Sequence, residues 1–554
     1  MKIPSYDKER TKMEFRVLSS LAKVFADEQP RDPQISKASM LANEEFSFQI
    51  AYMGDESIDR VEITAEGSLA PYMTLYNVDY VPSTLPVAVH NDNYVLRNTP
   101  GLYPDPLVPT YPLNRIMKNV WKSLWVTVKP EGITGEQTAT IVFSHGELGE
   151  LARKTITIDI IPADLPEQDL VCTMWFHVDG IAQYHNVEPY SEEGFELIGK
   201  YMKAGSDHGV NMVLTPVLTP PLDTAIGGER MTVQLVDIVK DGDKYEFDCS
   251  KLVRFIELAK ANGKKYLEIS HLFTQWGAYH APKVMATDKA DGQYKRIFGW
   301  ETDAAGEEYV NFLKQFVPAV IETVKACGME KNTYFHVSDE PALDHLEQYQ
   351  KVSAILRELT EGFPIIDALS NIDFYNTGAI KTPIPASNHI DQFLEADVAE
   401  RWVYYCIGQA VKVSNRFFGM PSERNRVLGV QMYKHNIVGF LQWGFNFYNS
   451  VHSLRPIDPW HDTDAGGGFA SGDAFVVYPY KDGCTPCLRF KVFNEGLQDM
   501  RAMKLAESLC GRDAVMAALE EGIDPITFSD YPHDAAWLLG VREKINAMIA
   551  EKVK

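Results

Sequence analysis

Two adjacent carboxylic acids, Asp339 and Glu340, end an aromatic and apolar stretch and stand directly before Pro341. The preceding residues 334–338 (Tyr-Phe-His-Val-Ser) predict a strand, and the apolar residues after Pro341 recur at helical spacing. One carboxylate at such a junction can cap the following helix, but a second buried carboxylate without a role is costly. Two acids at a strand end therefore indicate acid–base chemistry.

The composition narrows the class of ligand. The chain of 554 residues has 53 Lys plus Arg and 76 Asp plus Glu, which is a formal charge of −23. Such a surface repels nucleic acid and anionic membranes, so we expect a neutral small molecule or a glycan as the partner. No stretch approaches the roughly 20 apolar residues that span a membrane. Nothing in the sequence indicates an oligomeric state.

The cysteines and the first residues bear on the compartment. The seven cysteines are odd in number and scattered, which favours reduced thiols over a disulfide framework. Cys484 and Cys487 form a lone Cys-x-x-Cys pair, for which reduced loop thiols are a simpler interpretation than a zinc or redox centre. Residues 1–7 lack the apolar core of a signal peptide. We expect a cytoplasmic protein, although a chain with a trimmed secretion signal would look the same.

The pattern of apolar residues along the chain predicts a multidomain fold, in which an all-β domain is followed by an α/β domain. Residues 1–165 alternate apolar and polar side chains at 46–52, 61–64, 124–128, 138–143 and 155–160, which predicts an N-terminal β-sandwich. A linker with two prolines follows at 161–166. Residues 166–510 then alternate strands with helices and are expected to form a (β/α)8 TIM-like barrel, and 511–554 a C-terminal helical extension.

Eight stretches are candidate barrel strands: 171–177, 210–216, 265–271, 333–338, 364–369, 386–390, 402–407 and 438–444. Helical patterns separate most of them, at 191–207, 251–262, 305–327, 343–360 and 421–435, and three more follow at 488–509, 513–521 and 534–551. An insertion is expected between the second and third strands, and an added strand at 474–478. In a barrel of this type the catalytic residues lie at the carboxyl ends of the strands.

The residues at these strand ends are aromatic rings, amides and histidines, which suit a sugar. Its C–H face packs on rings and its hydroxyl groups need paired donors and acceptors. The residues we expect to bind substrate are Trp175, His177, His271, Trp276, Asn371, Asn388, Tyr405, Trp443 and Tyr448. Trp175 and Trp443 could equally fill the barrel. His177 and His271 lack the spacing of metal ligands, so we expect neither a metal nor a cofactor.

The segment Phe335-His336-Val337-Ser338-Asp339-Glu340-Pro341 resembles the Asp-Glu motif of glycoside hydrolase family 123, the β-N-acetylgalactosaminidases, which includes related bacterial domains of unknown function. Residues 472–479, 488–490 and 495–499 resemble the end of the same catalytic domain. The resemblance covers about 170–510, and the sandwich before it matches the family's usual N-terminal domain.

The resemblance implies a retaining, exo-acting hydrolase that removes terminal β-linked N-acetylgalactosamine by substrate assistance. The acetamido oxygen of the substrate would attack the anomeric carbon and form an oxazoline. Glu340 would be the general acid and then the base, and Asp339 would orient the acetamide. Adjacent residues cannot attack from opposite faces of a sugar, which agrees with the substrate-assisted exceptions among retaining glycosidases.

Two other functions stay open at this point. The first is a glycosidase for a sugar without an acetamide, which needs a second carboxylate across the cleft. Asp179, Asp367 and Asp373, at other strand ends, are candidates for it. The second is a glycan-binding protein without catalysis, because barrels host many functions.

Overall fold

Alternating apolar residues in the first part of the chain form two five-stranded sheets in this computed structural model, which describes residues 12–553. Residues 1–11, on which the expectation about a leader rests, and Lys554 lie outside the described residues. The strands are β1 (Met13–Ser19), β2 (Lys37–Leu41), β3 (Phe46–Gly54), β4 (Ile58–Glu66), β5 (Met73–Ser83), β6 (Gly101–Pro109), β7 (Asn114–Ile116), β8 (Lys122–Val128), β9 (Gly135–His145) and β10 (Gly149–Ile161).

These two sheets share one apolar core. Their strand orders are β1-β3-β8-β5-β6 and β2-β10-β9-β4-β7. Side chains alternate across a strand, so every second residue of each sheet faces the other sheet. Phe48 and Val126 of the first sheet lie in the same buried cluster as Ile141 and Ile158 of the second.

Fourteen further strands follow in the described chain, most of them short and buried. They are β11 (Val171–Met174), β12 (Met212–Thr215), β13 (Asp237–Asp241), β14 (Lys244–Asp248), β15 (Tyr266–Ile269), β16 (Val284–Asp288), β17 (Gln293–Phe298), β18 (Thr333–Tyr334), β19 (Ile366–Ala368), β20 (Thr382–Ile384), β21 (Trp402–Tyr404), β22 (Gly439–Gln442), β23 (Val477–Tyr480) and β24 (Gly483–Pro486). β13, β14, β16 and β17 form a separate sheet. β13 and β14 lie in the insertion expected between the second and third barrel strands, whereas β16 and β17 follow the third.

The helices of the described chain lie mainly between these strands. They are α1 (Val178–His185), α2 (Glu192–Ser206), α3 (Ser250–Ala261), α4 (Glu307–Ala326), α5 (Leu346–Leu359), α6 (Asp373–Asn376), α7 (Asp391–Glu395), α8 (Glu423–Arg426), α9 (Leu428–Lys434), α10 (Leu488–Cys510), α11 (Arg512–Leu519) and α12 (Ala535–Val553). The chain is thus a mixed α/β protein. None of the helices described between residues 12 and 553 is long and apolar enough to cross a membrane.

Eight short strands follow one another in space. β12, β15 and β18 are hydrogen-bonded neighbours, as are β11, β22 and β21, and β19 pairs with β20. Three single links join these groups: Phe335 to Ile365, Ala386 to Tyr404, and the N–H of Asn211 to the carbonyl oxygen of Cys172 (3.1 Å). The pairings therefore run from β11 through β12, β15, β18, β19, β20 and β21 to β22 and return to β11.

The predicted sixth barrel strand, 386–390, is wrong. The strand in that position is β20 (Thr382–Ile384), a Thr-Pro-Ile segment that ends before the predicted residues begin. The N–H of His389 donates to the carbonyl oxygen of Ala386 (2.8 Å), so 386–389 is a turn. Proline is disfavoured inside sheets, which is why this short strand gave no clear signal. The predicted helix at 421–435 is two helices, α8 and α9.

Buried ion pairs join the N-terminal sheets to the helices at the end of the chain. The guanidinium of Arg489 on α10 donates to both carboxylate oxygens of Asp105 on β6 (2.8 and 2.9 Å), and Tyr478 donates its hydroxyl to the same carboxylate (2.6 Å). Both members of the ion pair are almost fully buried. Arg542 on α12 likewise contacts Glu44. The first and last parts of the chain are therefore packed as one structure.

Asp105→Ala should lower the free energy of unfolding by about 3–5 kcal/mol, because the guanidinium of Arg489 would stay buried without its partner. Urea denaturation followed by tryptophan fluorescence measures the change. The control is Glu66→Ala, which removes an exposed carboxylate paired with Arg153 and should leave the midpoint nearly unchanged. An Asp105→Ala midpoint equal to that of the wild type would show that the pair does not hold these regions together.

Candidate active site

The backbone holds Asp339 and Glu340 tightly after β18. The carbonyl oxygen of Asp339 accepts the N–H of Trp276 (2.9 Å), and the N–H of Glu340 donates to the carbonyl oxygen of Ala368 (3.0 Å). Glu340 has a φ of 43°, in the left-handed region that residues other than glycine rarely adopt. Strain of this kind persists only where neighbouring contacts enforce it, and it is common at functional sites.

Neither acid caps the helix that follows. The first helical turn after them spans Leu343–His345, and its N-cap residue is Ala342. This start coincides with the first residue of the helical pattern predicted at 343–360. Capping of this helix therefore does not account for the presence of the two carboxylates.

The two acids line a pocket that encloses about 590 Å³, including its open mouth. Three of its walls are the tryptophans predicted from the sequence, Trp175, Trp276 and Trp443. The other lining residues are Leu222, Asp223, Gln275, Ala368, Tyr404, Cys406, Ile407, Leu441 and Phe469. A pocket with apolar walls and a few polar groups is what a small ligand requires.

Buried carboxylates orient two of the tryptophan rings. The indole N–H of Trp175 donates to Glu268 (2.9 Å), and that of Trp443 donates to Asp473 (3.0 Å). Burial raises the pKa of Asp473 to about 7. Trp276 is 37% exposed at the mouth. The rings of Trp175 and Trp443 are thus fixed in place before any ligand arrives, which favours stacking on a flat ligand face.

Six residues predicted to bind substrate lie outside the pocket lining, and four of them are held by other partners. The Tyr448 hydroxyl donates to the carbonyl oxygen of Val477 (2.9 Å). Asn371 accepts the N–H of Asp373 at the start of α6 (2.8 Å). The remaining pairs are Asn388 with Gln409 (2.9 Å) and Tyr405 with Asn425 (3.3 Å).

His177 and His271, the other two, are buried behind the walls. One ring nitrogen of His177 lies 3.1 Å from the carbonyl oxygen of Trp443, and the other accepts from Arg230 (3.1 Å). His271 stacks on His336 with ring centroids 4.2 Å apart. Both histidines therefore support the pocket from behind, and neither reaches its surface in this structure.

Tyr404 and not Tyr405 contacts the acid pair. The hydroxyl of Tyr404 donates to Oε1 of Glu340 (2.7 Å). Adjacent residues of a strand point to opposite faces, so only one of the two tyrosines can face the pocket. The sequence shows two tyrosines in succession and does not indicate which one faces inward. Asp223 and Cys406 were also missed as lining residues.

The three acids considered as a second carboxylate do not line the pocket. Asp179 is buried and forms two hydrogen bonds with Arg230 (2.8 and 2.9 Å). Asp367 is fully buried, and Asp373 is exposed in the first turn of α6. Besides Asp339 and Glu340, the acid in the lining is Asp223.

Electrostatics separate Asp339 from an ordinary surface acid. Burial raises the pKa of Asp339 well above its usual value, and the negative charge of Glu340 raises it further. The side chain of Asp339 is only 9% exposed, whereas Glu340 is exposed to solvent. A carboxyl group that is out of water and next to a second acid is suited to proton sharing.

His336 lies between two buried carboxylates beneath the acid pair. Its Nε2 is 2.6 Å from Glu268 and its Nδ1 is 3.0 Å from Asp367. Burial alone would lower the pKa of His336, but the hydrogen bonds to Asp367 and Glu268 outweigh it and raise the pKa to about 9. His336 is thus an imidazolium at neutral pH.

His271, His336 and Asp367 present ligand atoms within 4.8 Å of one another, a spacing that a cation could bridge. A histidine nitrogen must be free of its proton to bind a metal. Both nitrogens of His336 already face carboxylate oxygens, so the donor set fits a protonated imidazole better than a metal ligand. The expectation that no metal takes part stays a prediction.

The family model described as the catalytic domain of glycoside hydrolase 123 matches residues 175–506. The structure is similar to that of a family 123 glycoside hydrolase from Clostridium perfringens, reported in connection with glycolipid glycan hydrolysis, with a TM-score of 0.76, 14% identity, and coverage of 98% of this chain and 99% of the other.

Two other structural similarities are weaker. A β-glucuronidase from Parabacteroides merdae has a TM-score of 0.31 at 10% identity, over 88% of this chain and 51% of its own. A family 5 mannosidase from Rhizomucor miehei has a TM-score of 0.31 at 10% identity, over 62% and 95%. No curated protein sequence matches the chain.

The free energy of unfolding should fall as the pH rises from about 6.5 to about 9, by up to about 1.4 kcal/mol per pH unit from His336. The raised pKa of His336 means that the folded state keeps a proton that the unfolded state loses. The contribution of His336 to stability is therefore fully present below its pKa in the unfolded state. It is lost as the pH rises toward its pKa in the folded state. Urea midpoints measured against pH for the wild type and His336→Gln isolate this slope.

The control for this pH series is His461→Gln, which replaces a histidine on the surface with 81% of its side chain exposed. Its slope should equal that of the wild type. If His336→Gln also keeps the wild-type slope over this range, His336 is not charged in the folded protein.

Proposed function

The chain belongs to glycoside hydrolase family 123, and we propose that it is a retaining, exo-acting hydrolase that removes terminal β-linked N-acetylgalactosamine by substrate assistance. Family membership makes the chain a glycoside hydrolase acting on glycans, which favours catalysis over the alternative of a glycan-binding protein. The observation that carries the finer proposal is the placement of Asp339 and Glu340 side by side in one pocket with three tryptophans.

We also propose an architecture for this enzyme. The closed succession of pairings from β11 to β22 supports a (β/α)8 barrel, and the core shared by the two N-terminal sheets supports a β-sandwich. The proposed domains are the sandwich at 1–165, the catalytic barrel at 166–510 and the helical extension at 511–554. The seven cysteines are free thiols, in line with a reducing compartment such as the cytoplasm.

In the proposed mechanism the acetamide oxygen of the substrate attacks the anomeric carbon, and the bond to the leaving oxygen breaks. Glu340 gives its proton to that oxygen. Asp339 holds the amide N–H and stabilises the positive charge that develops on the ring closing beside it. Water then opens the oxazoline while Glu340 takes its proton, so the sugar leaves with its original anomeric configuration.

The surroundings of each acid suit its proposed role. The Tyr404 hydroxyl occupies Oε1 of Glu340, which leaves Oε2 to carry the proton to the leaving oxygen. Glu340 is exposed to solvent, so the water that opens the oxazoline can reach its carboxyl group. Asp339 is buried, and the positive charge that develops beside it favours the ionised form of its carboxyl group and is stabilised more than it would be in water.

A second candidate is a glycosidase for a sugar that lacks an acetamide. The observation in its favour is Asp223, the further acid of the pocket lining, which such an enzyme would use as its second carboxylate. Such an enzyme would hydrolyse aryl β-galactosides as readily as their 2-acetamido counterparts. Substrate assistance requires the acetamide and leaves the galactoside almost untouched.

Glu340→Gln should lower kcat by about 10²-fold or more on a β-N-acetylgalactosaminide with a poor leaving group, because general acid catalysis typically contributes that much. The loss should be smaller on an aryl glycoside whose leaving group needs no proton. A panel of chromogenic β-glycosides measures both, with aryl β-galactoside included to test the second candidate.

The matched control for this panel is Glu347→Gln, an acid in the first turn of α5 that does not line the pocket. It should hydrolyse every substrate at the wild-type rate. Wild-type activity of Glu340→Gln on the unactivated glycoside would rule out its role as the acid. Equal turnover of galactoside and N-acetylgalactosaminide would rule out substrate assistance.

A further inference from the structure

Gln275 lines the pocket and carries a hydrogen-bond donor that the described protein leaves without a partner. It is 5% exposed and belongs to the pocket lining. Its Oε1 accepts the N–H of Asp223 (2.7 Å). An N–H group must face the amide oxygen and not the amide nitrogen, so the orientation of the amide is fixed and Nε2 points the other way.

In this orientation Nε2 of Gln275 has no partner within the described chain, and a buried donor without a partner costs free energy. Nε2 of Gln275 is buried and has no hydrogen-bond partner among residues 12–553. Almost all buried polar groups in proteins are paired, and each exception calls for an explanation. An acceptor atom brought by a ligand of the pocket would satisfy it. The polar groups that a sugar ring carries are mainly hydroxyl groups, each of which is both an acceptor and a donor.

Asp223 supplies the complementary acceptor on the same wall. Its Oδ2 accepts the N–H of His452 (2.9 Å), and its carbonyl oxygen accepts the hydroxyl of Ser453 (2.6 Å). These bonds hold Asp223 at a φ of 39°, in the left-handed region. A carboxylate offers about four acceptor positions, so the N–H of His452 leaves capacity for a ligand.

The pair also lies near the acids of the proposed reaction. Trp276, the residue after Gln275, donates its N–H to the carbonyl oxygen of Asp339. Asp223 is close enough to Asp339 for its charge to raise the pKa of that carboxyl group. A sugar seated for attack beside Asp339 would therefore meet the wall formed by Gln275 and Asp223.

We propose that Gln275 and Asp223 bind one ring hydroxyl group of the sugar in the pocket and so determine which sugar the enzyme accepts. The hydroxyl accepts a hydrogen bond from Nε2 of Gln275 and donates one to the carboxylate of Asp223. This inference rests on the proposed function only in that the pocket takes a sugar. Sites that pair a buried group with a substrate hydroxyl reject analogues that lack it far more strongly than apolar pockets reject size differences.

The test pairs variants with deoxy substrates. Gln275→Glu keeps an acceptor for the N–H of Asp223 and removes the donor, and Gln275→Met removes both at similar size. Each is assayed on an aryl β-N-acetylgalactosaminide and on its 3-, 4- and 6-deoxy analogues. Gln275 and the hydroxyl group that it binds are coupled. Once the hydroxyl group is absent from the substrate, a substitution of Gln275 should have almost no further effect on the rate.

Both variants should lower kcat/KM on the parent substrate by about 10²-fold, and the wild type should lose about as much on one of the deoxy analogues. On that analogue the two Gln275 variants should have a kcat/KM less than about threefold below that of the wild type. Asp223→Asn should single out the same hydroxyl. An equal loss on the parent and all three analogues would mean that Gln275 only supports the wall, and an unchanged rate on the parent would mean that it touches nothing. Either result overturns the proposal.

The matched control is Gln315→Glu on α4. The amide oxygen of Gln315 also accepts a backbone N–H, that of Tyr245 (3.1 Å), but its nitrogen donates to the carbonyl oxygen of Asp243 (3.0 Å) outside the pocket. It should leave the discrimination among deoxy substrates at the wild-type level. Thermal melting of each variant shows whether it is folded.

This experiment separates the two proposals. If the wild type hydrolyses aryl β-galactoside as well as the acetamido sugar, substrate assistance fails, and the same comparison on deoxygalactosides still decides the role of Gln275. If the acetamide is required but no deoxy analogue cancels the effect of the variants, the proposed function stands and the hydroxyl contact does not.

Discussion

The imidazolium of His336 between Glu268 and Asp367 is the interaction on which the rest of the site depends. Asp367 accepts the backbone N–H groups of Val337 and Ser338 (3.1 and 3.4 Å) as well as His336, so the residues directly before Asp339 are fixed. Glu268 in turn accepts the indole N–H of Trp175. One buried charge network therefore positions both the acid pair and an aromatic wall. Buried charges cost free energy unless they are paired, and here each carboxylate has several partners.

Three residues that line the pocket have strained backbone conformations. Asp223, Trp276 and Glu340 all have positive φ values although none is glycine, and all three line the pocket. Each is held by backbone hydrogen bonds to a neighbouring segment. This strain is stored where a ligand would be contacted, and the network below it supplies the rigidity that keeps it in place.

Periodicity and the strand-end rule predicted much of this arrangement from the sequence. They located seven of the eight short parallel strands, the acid pair and the three tryptophans of the pocket. They failed where the signal is local to a turn or to one face of a strand. Tyr404 and Tyr405 differ only in which face they occupy, and Gln275 becomes informative only when the N–H of Asp223 fixes its amide. The partners of His336, Glu268 and Asp367, lie on two other strands, β15 and β19, and no spacing in the sequence reveals them.

In the mechanism we propose, the nucleophile belongs to the substrate and not to the protein. The most direct measurement is kcat/KM for a series of aryl 2-acylamido glycosides in which the acetyl group carries no, one, two or three fluorine atoms. Each fluorine withdraws electrons from the amide oxygen while changing its size little. Substrate assistance predicts a steep fall in rate with every fluorine added, because the weakened oxygen is the attacking atom. A rate that stays level across the series would contradict it and assign the attack to a carboxylate of the enzyme.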